Sequence, residues 1–212
     1  MELILKVEAL TKTFSGQREI AAVNGISFEL FPGECLAIIG ESGSGKTTAV
    51  NMISRLTDVT TGSIFLEGQE ITHRKGKQLR EVYRQMQMVF QTPTDSFDPR
   101  RTLGDGIGES LRNAGLTRKE TQKRVEALLE KCGLPGEFAN RYPHQVSGGQ
   151  CQRAAIARAL AIEPKLLICD EATSALDVTV QKEIISLLNE LRKQRGENLS
   201  ILFICHDISL VQ

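Results

Sequence analysis

An α/β fold built on a mainly parallel sheet is predicted by three features of the chain. The apolar run Cys35–Ile39 empties into Gly40-Glu41-Ser42-Gly43-Ser44-Gly45-Lys46-Thr47-Thr48, a second apolar run at 166–169 ends on Asp170-Glu171, and strand–helix–strand order returns between Leu166 and Cys205. Strands that alternate with helices form parallel sheets, and 212 residues with 41% apolar content can build one such domain.

The first third reads as strands at 3–10, 25–30, 35–39 and 63–67, with alternating Ile26, Phe28 and Leu30 and turns at Phe31-Pro32-Gly33 and Thr60-Thr61-Gly62. This is a β-rich subdomain around the glycine-rich loop. From 102 to 162 the pattern is helical: Val125, Leu128, Leu129 and Cys132 fall at i, i+3, i+4 and i+7, and breaks occur at Gly115, at Gly133-Leu134-Pro135-Gly136 and at Tyr142-Pro143. After Pro164 a strand, a helix at Val178–Arg195 and a strand at Ser200–Cys205 resume the core. The expected organisation is one domain over 1–212, with 1–91 and 163–212 as the core and 92–162 as a helical insertion.

Lys and Arg equal Asp and Glu at 26 each, so no overall basic field draws nucleic acid, which is not an expected partner. The N-terminus lacks a charged region followed by an apolar stretch, and no run of about 18 apolar residues occurs, so neither secretion nor a membrane span is expected. Five cysteines, odd in number and without a C-x-x-C pair, fit reduced thiols better than disulfides or zinc.

The loop at 40–48 matches G-x-x-x-x-G-K-[ST], with a strand before it and a helix after it. Gly40, Gly43 and Gly45 let the backbone close on an anion, and the following helix turns its positive dipole end inward. Lys46 then reaches the β/γ-phosphates and the Thr47 hydroxyl becomes a Mg²⁺ ligand. A flexible Gly/Ser turn is the alternative, but it gives no reason for the loop to finish in Gly-Lys-Thr.

Asp170 and Glu171 end a strand at the edge of a parallel sheet where ligands bind. With a phosphate loop upstream, Asp170 is read as a Mg²⁺ ligand and Glu171 as the group that accepts a proton from, or orients, the attacking water. A solvated Asp-Glu cap is the alternative. At Val146-Ser147-Gly148-Gly149-Gln150, Ser147 is a good N-cap for a helix at 151–162 and the glycines admit an anion closely, although by itself this reads equally as a cap and a turn.

Together these motifs resemble the ATP-binding cassette (ABC) ATPases over essentially the whole chain. The resemblance implies a P-loop NTPase core, mainly parallel sheet with flanking helices, carrying an antiparallel β subdomain and the inserted helical subdomain. It makes GESGSGKTT the Walker A loop, 166–171 the Walker B strand with its catalytic glutamate, VSGGQ the signature and Ser174-Ala175-Leu176-Asp177 the D-loop. Gln91, after a strand at 86–90, fits the Q-loop, and His206 fits the switch histidine. Phe14 stands where the family stacks an aromatic, more often tyrosine, on adenine; a partly buried core aromatic is the alternative.

On this reading the catalytic set is Glu171, His206, Gln91 and Lys46. ATP is held by Phe14, Gly40, Ser42, Gly43, Ser44, Gly45, Lys46, Thr47 and Thr48 and, in trans, by Ser147, Gly148, Gly149, Gln150 and Asp177. Thr47, Gln91 and Asp170 take Mg²⁺.

Gln91-Thr92-Pro93-Thr94-Asp95-Ser96-Phe97-Asp98-Pro99-Arg100 resembles the Q-loop extension of oligopeptide, dipeptide and nickel importer ATPases, and 141–153 resembles the second of their two nonidentical subunits. The resemblance therefore implies a peripheral subunit on the cytoplasmic face of the membrane that hydrolyses ATP to power import of peptides or nickel-type complexes. Its partners are a second, nonidentical cassette, paired head to tail, and membrane permeases that meet the 93–102 region through Pro93, Phe97, Pro99 and Thr102. An ABC-type ATPase of a soluble complex, such as a carbon–phosphorus lyase accessory subunit, is the alternative; DNA-repair and translation cassettes carry long insertions or a second cassette that this chain lacks. The family also continues beyond the residue matching Gln212, so the C-terminal part of the family domain is expected to be missing here, with lower stability and solubility as the consequence.

Overall fold

The computed structural model describes residues 3–15, 19–172 and 177–205. Two four-stranded sheets face each other across α1 (Lys46–Ile53). The first is antiparallel: β1 (Leu5–Phe14) lies between β2 (Ile20–Leu30) and β4 (Thr61–Leu66), with the two-residue β5 (Gln69–Glu70) at the far edge. The second is parallel, in the order β3 (Cys35–Ile39), β8 (Ser200–Cys205), β7 (Leu166–Asp170) and β6 (Met86–Val89). Neighbours in this sheet are far apart in sequence, as crossover connections require.

β7 and β8 are buried on both faces, which is why they read as unbroken apolar runs. Their side chains alternate between two cores. Leu166, Ile168, Leu202 and Ile204 join β1, β2, β4 and α1, whereas Leu167, Cys169, Ile201 and Phe203 join the helical block and α6 (Val178–Arg195).

The helical block comprises α3 (Leu103–Asn113), α4 (Arg118–Lys131) and α5 (Gly148–Leu160). Thr102 caps α3 by accepting from the Asp105 amide, and Thr117 with Glu120 closes a reciprocal capping box on α4. The i, i+3, i+4, i+7 stripe of Val125, Leu128, Leu129 and Cys132 faces inward, where Ile107 and Ile156 also meet.

Four expectations change. Position 35–39 is a strand but not a buried one: β3 is an edge of the described parallel sheet, and Cys35 and Ile39 are exposed. β1 and β2 are longer than the alternation suggested, pairing as far as Phe14 with Ile20 through register shifts that blur a period of two. After β5 comes a helix that the strand reading does not include, α2 (Gly76–Gln85), whose Val82 is buried with Leu79 packed partly buried beside it. Lastly, Phe97 turns inward rather than lining an open loop. It is 6% exposed, and Gly106 on α3 makes room for it, since a Cβ there would lie 2.6 Å from the ring. Pro93 is buried as well.

Candidate nucleotide site

The carboxyl ends of the parallel strands assemble the site. Register aligns Ile39 with Cys205, Ile204 with Asp170 and Cys169 with Val89, so the loop after β3, the Asp170-Glu171 pair and Gln91 share one edge. Two strand spacings, about 10 Å, separate the first two. That edge is where an open α/β sheet binds ligands.

Gly43 and Gly45 have φ of +80° and +91°, and Gly45 is the N-cap of α1. Gly45 is also packed against the antiparallel sheet: a Cβ there would come within 2.1 Å of the Ala22 carbonyl oxygen. No side chain caps α1 and no acid lies in its first turn, so its leading amides and dipole are left to an anion. Lys46 is buried, and its Nζ donates to the carbonyls of Gly40 and Glu41, each at 2.7 Å. The loop therefore curls round its own cation, which satisfies the charge with neutral acceptors and leaves it available to a phosphate. Ser42, Ser44 and Thr47 are exposed, and Thr48 is half-buried.

Asp170 and Glu171 are buried. Glu171 has φ of +45°, a left-handed conformation that costs a non-glycine residue about 1–3 kcal/mol and tends to be kept where function needs it. Its amide donates to Ile204 O at 3.2 Å, and its Oε2 accepts from Gln91 Nε2 at 3.0 Å. The base candidate and the Q-loop candidate are therefore in direct contact, although 80 residues separate them. Phe14 ends β1 with 47% of its surface exposed, and Lys12 Nζ lies 5.1 Å from its ring centroid, so it is no core aromatic and offers a free face.

Ser147 caps α5, accepting from the Gln150 amide at 3.3 Å while its own amide donates to Gln150 Oε1 at 3.0 Å. Asp177 caps α6 in the same way, accepting from the Val180 amide at 3.0 Å. The two helix starts are clamped together: a Cβ on Gly149 would meet Val180 Cγ1 at 2.7 Å, and Arg153 Nη2 pairs with Glu183 at 2.9 Å. Arg153 Nη1 also donates to Cys132 O, the end of α4. Neither Val180 nor Glu183 has a sequence signal of its own, because their role comes only from the packing of α5 on α6. His206 and Ser174-Ala175-Leu176 lie outside the described residues.

The sequence profile of the ABC transporter family matches residues 23–174. The oligopeptide transport ATP-binding protein OppF of Bacillus subtilis is 45% identical over the whole of this chain, which spans 70% of that protein. This chain belongs to the ABC transporter family. Escherichia coli OppF is 44% identical over 92% of the cassette, which covers 58% of its length, and the glutathione import ATP-binding protein GsiA of Salmonella paratyphi A is 47% identical over all of it, covering 35% of its own length. The cassette thus spans between about a third and 70% of these relatives. Among solved structures, the dimeric post-hydrolysis state of the ATP-binding cassette MJ0796 bound to ADP and Pi superposes with a TM-score of 0.87 at 32% identity, covering 97% of this chain and 89% of that one. CbiO1 of Clostridium perfringens, part of the cbiONQ complex, reaches 0.86 at 30% identity over all of this chain and 81% of its own.

Proposed function

We propose that the cassette is the ATP-hydrolysing subunit of a peptide importer. The observation that carries this reading is the 45% identity to an oligopeptide transport ATP-binding protein over the full chain. The names of the relatives, oligopeptide and glutathione, favour peptides over nickel-type complexes.

The triphosphate is held by 40–48, with Lys46 moving from its carbonyls to the β/γ-phosphates, and Phe14 stacks on adenine. The residues fit a Mg²⁺ ion: the Thr47 hydroxyl, the Gln91 amide and the Asp170 carboxylate are hard oxygen donors at one sheet edge. Mg²⁺ supplies charge neutralisation across the phosphates. Glu171 orients the attacking water and takes its proton, and Gln91, which must exchange its bond to Glu171 for the nucleotide, reports occupancy to the segment that follows. His206 is assigned to the γ-phosphate by its place after β8.

A second, nonidentical cassette presents its counterparts of Ser147, Gly148, Gly149, Gln150 and Asp177 to this nucleotide, and hydrolysis lets the pair open. The membrane permease docks beside the Q-loop, in a cavity of about 180 Å³ lined by Leu56, Met88, Phe90, Ser96 and Arg158. Leu56 and Phe90 are exposed apolar side chains there, which suits a docking surface. The permease contact thus shifts from Pro93 and Phe97 to their neighbours. The subunit sits on the cytoplasmic face of the membrane as a peripheral protein; no described helix is long and apolar enough to cross it.

Purification of the full-length subunit with its native partners tests the reading. Integral membrane subunits, and ATP-dependent uptake of a labelled tripeptide in liposomes, are expected; a soluble enzyme core in their place would establish the other assignment.

A further inference from the structure

One turn into α5, the side chain of Gln152 is 0% exposed, and neither its Oε1 nor its Nε2 has a hydrogen-bond partner among the described residues. Its polar neighbours are engaged elsewhere. Gln150 and Ser147 close the cap of the helix, and Arg153 pairs with Glu183 and donates to the Cys132 carbonyl. A primary amide buried with both groups unpaired forfeits its bonds to water, so an apolar side chain of the same shape would sit there more favourably. The chain is better off in any arrangement that pairs this amide, and its presence favours that arrangement.

The course of α5 says what the amide faces. Ala161 and Ile162, past its end, lie beside Tyr83, Arg84 and Gln87 at the start of β6, whereas Ala155 and Ala159 lie beside Met88 and Phe90 towards its finish. The helix therefore runs antiparallel to β6. Gln152, one turn further back than Ala155, is level with the ends of β6 and β7, where Gln91 and Glu171 stand. Around the helix, Gly149 abuts Val180 of α6 and Ala155 faces β6, and Gln152 falls between these two directions, towards β7. Cys169 and Ala172, which bracket Asp170 and Glu171, share a core with Ala155 and Ile156 of α5.

We propose that Gln152 is a positioning residue for hydrolysis: when Gln91 turns from Glu171 to the nucleotide, the Gln152 amide donates to the Glu171 carboxylate in its place and holds it on the attacking water. The bond to be replaced is the one from Gln91 Nε2 to Glu171 Oε2, at 3.0 Å. An amide suits the task, since its N–H donates without charge and leaves the carboxylate more basic than a lysine or arginine would. The helix that carries Gln152 begins at Ser147, so the same contact ties the base of this cassette to the seating of its signature. The proposal rests on the reading of Glu171 as the base and adds the residue that holds it.

The test is ATP hydrolysis by the full-length subunit with its native partners, comparing Gln152→Met, Glu171→Gln and the double variant. Methionine keeps the length of the side chain and removes its hydrogen bonds. In Gln152→Met the melting temperature should hold or rise, KM for ATP should stay within about two-fold, and kcat should fall roughly ten-fold or more. In the Glu171→Gln background the same substitution should change the residual single-turnover rate by less than about two-fold, because the group it acts through is gone. A parent kcat in Gln152→Met overturns the proposal. So does an equal loss in both backgrounds, or a fall in kcat that follows a lower melting temperature or weaker nucleotide binding. Gln152→Leu, read by the same assays, decides the matter if the methionine variant does not fold. If Glu171→Gln is slow while Gln152→Met is not, only this inference fails; if Glu171→Gln hydrolyses ATP at the parent rate, the base reading fails and this inference with it.

Discussion

Single residues decide the chemistry of the site. Glu171 is strained, buried and in contact with Gln91, so Glu171→Gln keeps the shape and the hydrogen-bonding partner while removing the base. ATP should still bind, and hydrolysis should fall by on the order of 10²–10⁴-fold in a steady-state assay. Lys46→Ala removes the one cation the loop is folded around, and fluorescent nucleotide binding should disappear. Gly45→Ala should be worse than a cavity mutation of similar size. Its φ of +91° alone costs about 1–3 kcal/mol, and the added methyl meets a backbone oxygen that cannot swing aside, so a lower melting temperature and weak nucleotide binding are expected together.

Between elements, the contact to examine is α5 on α6. Gly149→Ala drives a methyl into Val180 and should cost about 1–3 kcal/mol by chemical denaturation. Val180→Ala added to it should restore most of the loss, because the space the methyl needs is then free; a double variant no better than the single would place the strain elsewhere. Phe97→Ala empties a site within the helical core and should cost about 3–5 kcal/mol, so transport and ATP hydrolysis should decline together with stability rather than transport alone. This differs from what 91–100 suggests as a sequence, where Pro, Asp and Ser surround Phe97 and imply a solvent loop. The glycine that accommodates it, Gly106, lies nine residues on, and nothing local links the two. α2 differs in carrying a local signal that the sequence reading missed, since Leu79, Val82, Tyr83 and Met86 fall at i, i+3, i+4 and i+7. The strands β7 and β8, the Ser147 cap and the loop at 40–48 were legible because each is specified by contiguous residues. The Gln91–Glu171 contact and the Arg153–Glu183 brace were not, since only the register of β6 on β7 and the crossing of α5 over α6 create them.

At the scale of the whole molecule, the cysteines report on the fold. Burial pushes the Cys132 thiol up to about 12 and the Cys151 thiol to about 11, and raises Cys169 as well. An unfolded thiol titrates near 9.0, so the folded state holds its protons where the unfolded chain releases them. The stability this represents is complete below pH 9 and is lost as pH rises through the folded values. The melting temperature should therefore fall from about pH 9 upward, less steeply in Cys132→Ala/Cys151→Ala. Cys35 is the exposed one of the five, and a thiol reagent should modify it first in native protein and all five after denaturation.

The place of β3 carries a consequence for biosynthesis. Its neighbour among the described strands of the parallel sheet is β8, and Cys35 pairs with Ile201, so the strand that aims the phosphate loop waits for that partner until more than 160 further residues have been made. At translation speeds of about 5–20 residues per second, that is a wait on the order of 10–30 s. The helical block, whose contacts are local, can condense during this interval, and the antiparallel sheet can form over the first 70 residues. A nascent chain that has not yet made β8 thus lacks the pairing that holds β3 and aims the loop at 40–48, so its nucleotide grip should mature only once residues 200–205 are in place.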